Sequence, residues 1–140
     1  MGGQVCHPAA GLPAGGAIER LHVQVPAAHR QIWLQAESAV WEPWLLRQHG
    51  FLGRELFWDP ALELGVLLIR WASRQRWHAI SAAEVSQVHQ AFQRHARELL
   101  RCAGHRNDDP DAQSPSASTD CFPLLSSDEV HVEPPLAPPG

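Results

Sequence analysis

Tryptophan and histidine are the residues whose types and spacing in this sequence could do chemistry. The 140 residues include six tryptophans and nine histidines. An indole ring offers a large apolar face and one N–H donor, so several indoles together can wall a pocket for an aromatic or apolar molecule. The candidates for such a ligand-binding wall are Trp33, Trp41, Trp44, Trp71 and Trp77. Helical and strand spacing also explains each of them as a core residue without a ligand.

Two histidines are candidate catalytic groups for proton transfer, because an imidazole titrates near neutral pH. His22 lies in an alternating, strand-like run, and His78 directly follows Trp77. The alternative for His22 is a solvated sheet face, since alternating strands commonly place polar residues in water. His89 and His95 are too far apart on a predicted helix to share one face, so they do not suggest a metal site.

The recognisable catalytic and metal-binding motifs are absent from the sequence. It contains no HExxH, CxxC, GxSxG or P-loop pattern. Its three cysteines, Cys6, Cys102 and Cys121, lie far apart, which argues against a disulfide framework and against a zinc site. We therefore expect no metal and no cofactor.

Charge is divided unevenly along the chain. Residues 17–103 carry ten arginines and eight acids, whereas residues 104–140 carry one arginine and seven acids. Neither part has the clustered basic stripe that would neutralise several phosphates, so nucleic-acid binding is not expected. No run approaches the roughly 18 apolar residues of a membrane span, and the first residues lack the basic and apolar regions of a signal peptide. We expect no membrane partner and a cytoplasmic location.

Hydrophobic periodicity predicts two helices. Residues 27–41 place apolar side chains on one helical face, and Pro43 then predicts a kink or a restart. Ser81 followed by Glu84 is the signature of a capping box, which predicts the start of a second helix that Gly104 ends. The apolar stripe of this second helix consists of Val85, Val88, Phe92, Ala96 and Leu99.

Two-residue alternation predicts four strands, which cover residues 17–25, 51–58, 63–71 and 124–132. Asp59-Pro60 supplies turn chemistry between the middle two strands. In the last strand the two valines are expected to face inward; they are Val130 and Val132. The order βαββαβ with an antiparallel sheet is that of a ferredoxin-like α+β fold.

The two middle strands carry apolar residues on both faces. In the first of them, Leu52, Leu56 and Trp58 alternate with Phe51, Gly53 and Phe57. A sheet that is apolar on both faces needs cover on both, and the chain has only enough helix for one face. We therefore expect a second copy to cover the other face, which gives a two-fold homodimer through the sheet.

Composition predicts how the domain is bounded. Residues 1–16 are rich in Gly, Ala and Pro and are expected to form a flexible leader. The domain is expected over residues 17–133, with a mobile polar loop over residues 104–120. Residues 134–140 are expected to form a disordered, Pro-rich tail.

Three segments carry a resemblance to a known family: IERLHVQVP, WEPWLLRQHGFLGRELFWDP and VLLIRWASRQRW. Over roughly residues 17–132 the chain is similar to short uncharacterised cyanobacterial proteins related to the antibiotic biosynthesis monooxygenase domain. The best markers are the GFLG turn and the W-x-S-x-x-x-W run of Trp71, Ser73 and Trp77. The resemblance implies a dimeric α+β barrel. Some members of the superfamily oxidise polyaromatic substrates without a metal or flavin, and others degrade haem.

The haem-degrading members use an Asn on the first strand, a Trp just after the third strand and a His on the second helix. In this chain the only asparagine is Asn107. The Trp position falls near Ile80 and the His position near Gln90. The resemblance therefore argues against haem degradation by that mechanism.

Three functions are compatible with the sequence. The chain could bind a small apolar or aromatic molecule in a tryptophan-walled pocket. It could instead be a cofactor-independent monooxygenase acting on an aromatic substrate, with His22 or His78 transferring a proton and Trp71 or Trp77 positioning the substrate. It could also be a structural dimer module without a ligand. A connected cavity of a few hundred cubic ångströms that reaches one of these histidines favours the first two, and a filled interior favours the third.

Overall fold

The structure is a computed structural model that describes residues 12–104 and 120–131. Most of the predicted leader, most of the predicted loop and the whole predicted tail lie outside the described residues. In chain order the elements are β1 (Ala17–Gln24), α1 (Arg30–Ala36), α2 (Glu42–Leu46), β2 (Phe51–Asp59), β3 (Leu64–Trp71), α3 (Arg74–His78), α4 (Ala82–Cys102) and β4 (Leu124–Val130).

The four strands form one antiparallel sheet in the order β2-β3-β1-β4. The first and last strands of the chain are therefore neighbours, as the βαββαβ arrangement requires. The α+β, ferredoxin-like fold class predicted from the sequence is confirmed. None of the helices in the described ranges is long and apolar enough to cross a membrane.

The first predicted helix is interrupted where proline indicated a kink. A turn of π-helix over Glu37–Trp41 separates α1 from α2, and Pro43 lies in the first turn of α2. Proline lacks an N–H, and its ring clashes with the carbonyl four residues earlier, which belongs to Ala39 in the π turn. The wider turn relieves that clash and lets the helix resume.

The second predicted helix, α4, begins directly after the residue that was predicted to cap it. Ser81 precedes α4, and its hydroxyl accepts a hydrogen bond from the backbone N–H of Glu84 at 2.9 Å. The Glu84 carboxylate accepts a hydrogen bond from the Trp44 indole N–H. The short helix α3, which the sequence analysis did not predict, has its own N-cap, because the Ser73 hydroxyl accepts from the N–H of Arg76.

A β-bulge at Leu52 makes the predicted facing of β2 wrong at its start. Phe51 pairs with Trp71, and the next paired residue is Gly53, so Leu52 is the extra residue. A bulge reverses the alternation beyond it, and the φ of +148° at Gly53 is easy only for glycine. Phe51 consequently faces the helices with its ring 5.9 Å from that of Trp71, and Leu52 is 45% exposed.

A second bulge at Leu125 makes the inward prediction for Val130 wrong. Leu124 faces the helices, but the extra residue shifts the phase of the rest of β4. Val130 therefore lies opposite Ile18 on the face of the sheet that points away from the helices. Val132, the other valine predicted to face inward, lies outside the described residues.

The helices cover one face of the sheet and form the core with it. The larger core cluster joins α1, α4, β1 and β3; its buried members include Trp33, Ala36, Val23, Leu67, Phe92 and Ala96. No helix of the described chain packs against the other face. That face carries half-buried apolar residues at Leu64, Val66 and Leu68 of β3 and a Phe57 ring that is 52% exposed.

Candidate functional site

A cavity of about 540 Å³ lies between the helices and the sheet. Its floor is the inner face of β1 and β3, and its walls come from α1, the π turn, α2, α3 and α4. Pockets for small molecules in proteins usually have volumes of about 300–1,000 Å³. All five candidate tryptophans line the cavity: Trp33, Trp41, Trp44, Trp71 and Trp77.

Trp33 is fixed by a close approach to the sheet. It is fully buried on α1, and its ring lies against Gly65 of β3. A Cβ placed on Gly65 would stand 2.8 Å from the ring carbons Cη2 and Cζ2 of Trp33. Any larger residue at this position would therefore push the indole away from the sheet.

Hydrogen bonds fix two other indoles. The Nε1 of Trp71 donates to the Glu19 carboxyl at 3.1 Å, and the Nε1 of Trp44 donates to the Glu84 carboxylate at 2.9 Å. The Trp41 ring packs edge-on against that of Trp44, with their centroids 5.7 Å apart. Packing and hydrogen bonding together give this part of the wall a defined shape before any molecule enters.

The two candidate histidines lie on opposite sides of the sheet. His78 lines the cavity and is exposed, with its ring 4.6 Å from that of Trp77. His22 points to the other face, where its Nδ1 lies 3.0 Å from the hydroxyl of Ser126. It does so because it alternates with Leu21 and Val23, which line the cavity. The structure therefore brings His78, and not His22, to the tryptophan wall.

A buried ion pair in the cavity wall was missed by the sequence analysis. Arg54 of β2 donates from Nη1 to the Glu37 carboxylate at 2.5 Å, and their side chains are only 4% and 6% exposed. Its Nε donates to Glu42 at 2.9 Å, and its Nη2 donates to the backbone carbonyl of Glu37. Burial raises the pKa of Glu37, and the Arg54 guanidinium opposes that rise.

The indole N–H of Trp33 is the one buried side-chain polar atom of the described residues that makes no hydrogen bond of ordinary geometry. It lies close enough to the Glu37 carboxyl to help oppose the rise in its pKa. A buried donor left unpaired costs about 1–3 kcal/mol, and the interaction with the Glu37 carboxyl offsets part of that cost.

Glu19 is the second carboxyl in the cavity. It is half-buried on β1, and burial raises its pKa, while the hydrogen bond from Trp71 and the charge of His78 lower it. Strand pairing places it in one row across the sheet: Glu129, Glu19, Ile69 and Arg54. The next row toward the centre of the sheet contains Leu21, Leu67 and Leu56. Polar and apolar rows thus lie side by side on the cavity floor.

The sequence contained a signal for each of these three missed residues. Glu19 is in phase with Leu21 and Val23, and Arg54 is in phase with Leu56 and Trp58. Glu37 lies four residues from each of two tryptophans, Trp33 and Trp41, on the same helical face. A charged residue in the apolar phase of a strand or helix indicates a buried polar site.

Polar side chains of α4 hold the segment that leads into β4. Buried Gln93 donates to the carbonyl of Cys121 at 3.0 Å and accepts from its N–H at 2.6 Å. His89, one helical turn earlier, lies 3.0 Å from the Asp120 carboxylate. These bonds place Phe122 in the cavity wall. Among the described residues, no group of three or more His, Cys, Asp or Glu is arranged to hold a metal ion.

Comparisons with known proteins find solved structures that are similar to this chain, but no family model and no curated sequence that matches it. No protein-family model matches the chain, and no curated protein matches it. A solved structure of a monooxygenase from the gene ActVA-Orf6 of Streptomyces coelicolor, in complex with the ligand Nanaomycin D, matches with a TM-score of 0.52 at 13% identity. The match covers 88% of this chain and 90% of that one.

SnoaB, a cofactor-independent oxygenase from Streptomyces nogalater, matches with a TM-score of 0.37 at 15% identity, covering 86% of this chain and 94% of that one. The likeness to the Streptomyces coelicolor monooxygenase, at 13% identity, establishes the fold alone. The chain has the ferredoxin-like α+β fold of that monooxygenase.

Proposed function

We propose that this chain binds a small apolar or aromatic molecule in the tryptophan-lined cavity. The observation that carries the proposal is the cavity itself, about 540 Å³ in volume and walled by five indoles. A chain with only a structural role would fill this space, because protein interiors are otherwise close-packed. The hydrogen bonds of Trp44 and Trp71 support it further, because a wall held in place loses less entropy when a ligand binds.

Calorimetric titration with a neutral bicyclic compound, 2-methoxynaphthalene, tests the proposal. Val85 on α4 lines the cavity and is 37% exposed, so Val85→Trp should fill space there without disturbing the core. We expect this change to weaken binding at least tenfold. The control is Gln87→Trp, at an exposed position on the same helix that does not line the cavity. It should bind as the wild type does.

Native mass spectrometry of protein purified from its own host should in addition show a retained small molecule. Failure of the wild type to bind at the solubility limit of the probe would leave the structural role as the better account. Equal binding by Val85→Trp and the wild type would contradict the proposal that the molecule binds in this cavity.

A second candidate function is cofactor-independent monooxygenation of an aromatic substrate. The observation that favours it is the position of His78. This residue lines the cavity and lies near enough to Glu19 for its charge to lower the pKa of the Glu19 carboxyl. His78 would take a proton from a benzylic CH₂ of the bound substrate, and the resulting carbanion would react with O₂. Conversion of the CH₂ to a ketone with release of water balances with O₂ alone, because the substrate supplies all four electrons.

Oxygen uptake with reduced polyaromatic compounds that carry a benzylic CH₂ tests this second function. We expect uptake to be lost in His78→Ala and retained in His49→Ala, a change of an exposed histidine that does not line the cavity. Tight binding without uptake would leave the chain as a binder.

The outer face of the sheet supports the proposal of a homodimer. Several of its polar residues are paired with each other, as in the ion pairs Arg20–Asp128 and Arg70–Glu55. Between them lie apolar side chains, including the exposed ring of Phe57, which a second copy would cover. Sedimentation should show a dimer at micromolar concentration that Val66→Arg dissociates, and a stable wild-type monomer would refute the proposal. The cytoplasmic location remains a prediction from the sequence.

A further inference from the structure

The polar groups that line the cavity differ in how much hydrogen-bonding capacity they have left. Arg54 and Glu37 are bonded to each other, and Gln93 is bonded to the backbone of Cys121. Glu19 accepts one hydrogen bond, from Trp71 to its Oε1. A carboxylate has room for about four. Glu19 is therefore a carboxyl in the cavity whose capacity is largely unused by the described residues.

The position of this carboxyl is fixed by the sheet and by Trp71. Trp71 is almost fully buried, and its ring packs edge-on against Phe51, so the donor that holds Oε1 cannot move far. Glu19 itself is on β1 beside Ile69 of β3, in the middle of the sheet. Its Oε2 is thus an acceptor held beside the apolar row of Leu21, Leu67 and Leu56, and a fixed polar group next to an apolar surface is the arrangement that gives a pocket specificity.

We propose that Glu19 recognises a hydrogen-bond donor on the ligand and that the cavity selects aromatic molecules bearing a hydroxyl group. This inference rests on the proposed binding function and adds the chemical class of the ligand to it. A site built to bond a hydroxyl rejects the analogue without one, because the polar group of the site is then left unpaired. Burial, which raises the pKa of Glu19, increases that penalty.

The same cavity should disfavour anionic ligands. Its guanidinium, that of Arg54, is occupied by the carboxylates of Glu37 and Glu42. An aromatic carboxylate would consequently bring a third negative charge close to Glu19 and Glu37, with the exposed imidazole of His78 as its counter-charge in place of a buried guanidinium. The expected ligand is therefore a neutral phenol.

Three naphthalene derivatives of similar size separate these possibilities: 2-naphthol, 2-methoxynaphthalene and 2-naphthoate. In calorimetric titrations we expect the wild type to bind 2-naphthol at least tenfold more tightly than the methoxy compound, and 2-naphthoate more weakly than either. Glu19→Met should reduce the tenfold preference to less than threefold. Glu55→Met, which removes a half-exposed carboxylate on the outer face, should leave the preference unchanged.

A second variant, Glu19→Gln, keeps an acceptor for the Trp71 N–H and serves if Glu19→Met does not fold. We expect it to show a preference between those of the wild type and Glu19→Met. Equal wild-type affinity for 2-naphthol and 2-methoxynaphthalene would overturn this inference and leave the binding function standing. A tenfold preference that persists in both Glu19 variants, or tighter binding of 2-naphthoate, would also overturn it. Absence of binding by all three compounds would refute the binding function itself.

Discussion

Removal of the guanidinium of Arg54 should destabilise the fold far more than removal of an arginine from the outer face of the sheet. Arg54→Met keeps most of the aliphatic stem but leaves the Glu37 carboxylate without its cation. Both side chains of the pair are over nine-tenths buried, so water cannot replace the lost partner. Breaking a buried ion pair in this way costs about 3–5 kcal/mol.

Two further variants determine whether this cost comes from the unpaired charge. Arg70→Met breaks a pair with Glu55 whose side chains are 26% and 41% exposed, and it should cost about 1 kcal/mol or less. Glu37→Met/Arg54→Met removes both charges, and it should restore stability to within about 1 kcal/mol of the wild type or above it. The Glu37 carbonyl that Arg54 also contacts keeps a partner, because it accepts the backbone N–H of Glu42.

The cost of Arg54→Met should also depend on pH. Arg54 lowers a Glu37 pKa that burial raises from 4.5, so its loss lets the folded-state pKa rise further. A carboxyl whose pKa is higher in the folded than in the unfolded protein contributes fully to stability at pH values below its unfolded-state pKa. It loses that contribution as the pH rises through its folded-state pKa. The deficit should accordingly be small near pH 4.5 and grow toward neutral pH.

Urea denaturation of the four proteins at several pH values measures these differences. A deficit for Arg54→Met that equals that of Arg70→Met would refute the reasoning. So would a deficit that is the same at every pH, because the cost would then come from packing rather than from charge.

Three further changes test the packing, the capping and the second carboxyl of the site. Gly65→Ala should lose about 1–3 kcal/mol in urea denaturation, because its Cβ would stand 2.8 Å from the Trp33 ring; a neutral result would mean that the indole can shift. Ser81→Ala should lose about 1 kcal/mol while Ser81→Asp stays near the wild type, and equal losses would contradict the capping role. Burial raises the Glu19 pKa from 4.5, so Glu19→Gln should gain stability relative to the wild type as the pH rises above that value. A stability difference that does not depend on pH would contradict the raised pKa of Glu19.

The order and type of the main elements could be predicted because they depend on local sequence. The two-residue and 3.6-residue periods differ clearly in this chain, and the cap at Ser81 acts within one helical turn. The kink before Pro43 is likewise a property of one residue and the turn that precedes it. The short helix α3 was missed because its five residues are too few to show a helical period.

The facing of strand residues was less predictable, because a bulge is a property of strand pairing. The extra residues at Leu52 and Leu125 reverse the alternation of β2 and β4. The first reversal made the predicted facings of Phe51 and Leu52 wrong, and the second made that of Val130 wrong. Gly53 gave a hint in β2, since glycine within a strand often marks a bulge. Nothing comparable in the sequence marks Leu125.

The tryptophan wall could be anticipated, but the polar groups among the indoles could not be placed. Aromatic residues on apolar faces point toward the interior whatever the partner strand does. The role of Glu37 and Arg54, by contrast, depends on whether two elements distant in sequence bring opposite charges together. The sequence could not decide between His22 and His78 for the same reason, because the choice depends on which face of the sheet the helices cover.

The charged residues of the cavity bear on why the cavity exists. A buried ion pair is weak evidence for stability, since apolar residues of similar volume often stabilise a core equally well or better. The chain nevertheless places Glu19, Glu37 and Arg54 in the apolar phases of its strands and helix, and the Trp33 indole N–H beside them makes no hydrogen bond of ordinary geometry. Departures of this kind from local rules are expected where a protein binds or reacts with another molecule. If Glu37→Met/Arg54→Met is as stable as the wild type, the pair is not needed for folding, and a ligand in the cavity becomes the better explanation for its presence.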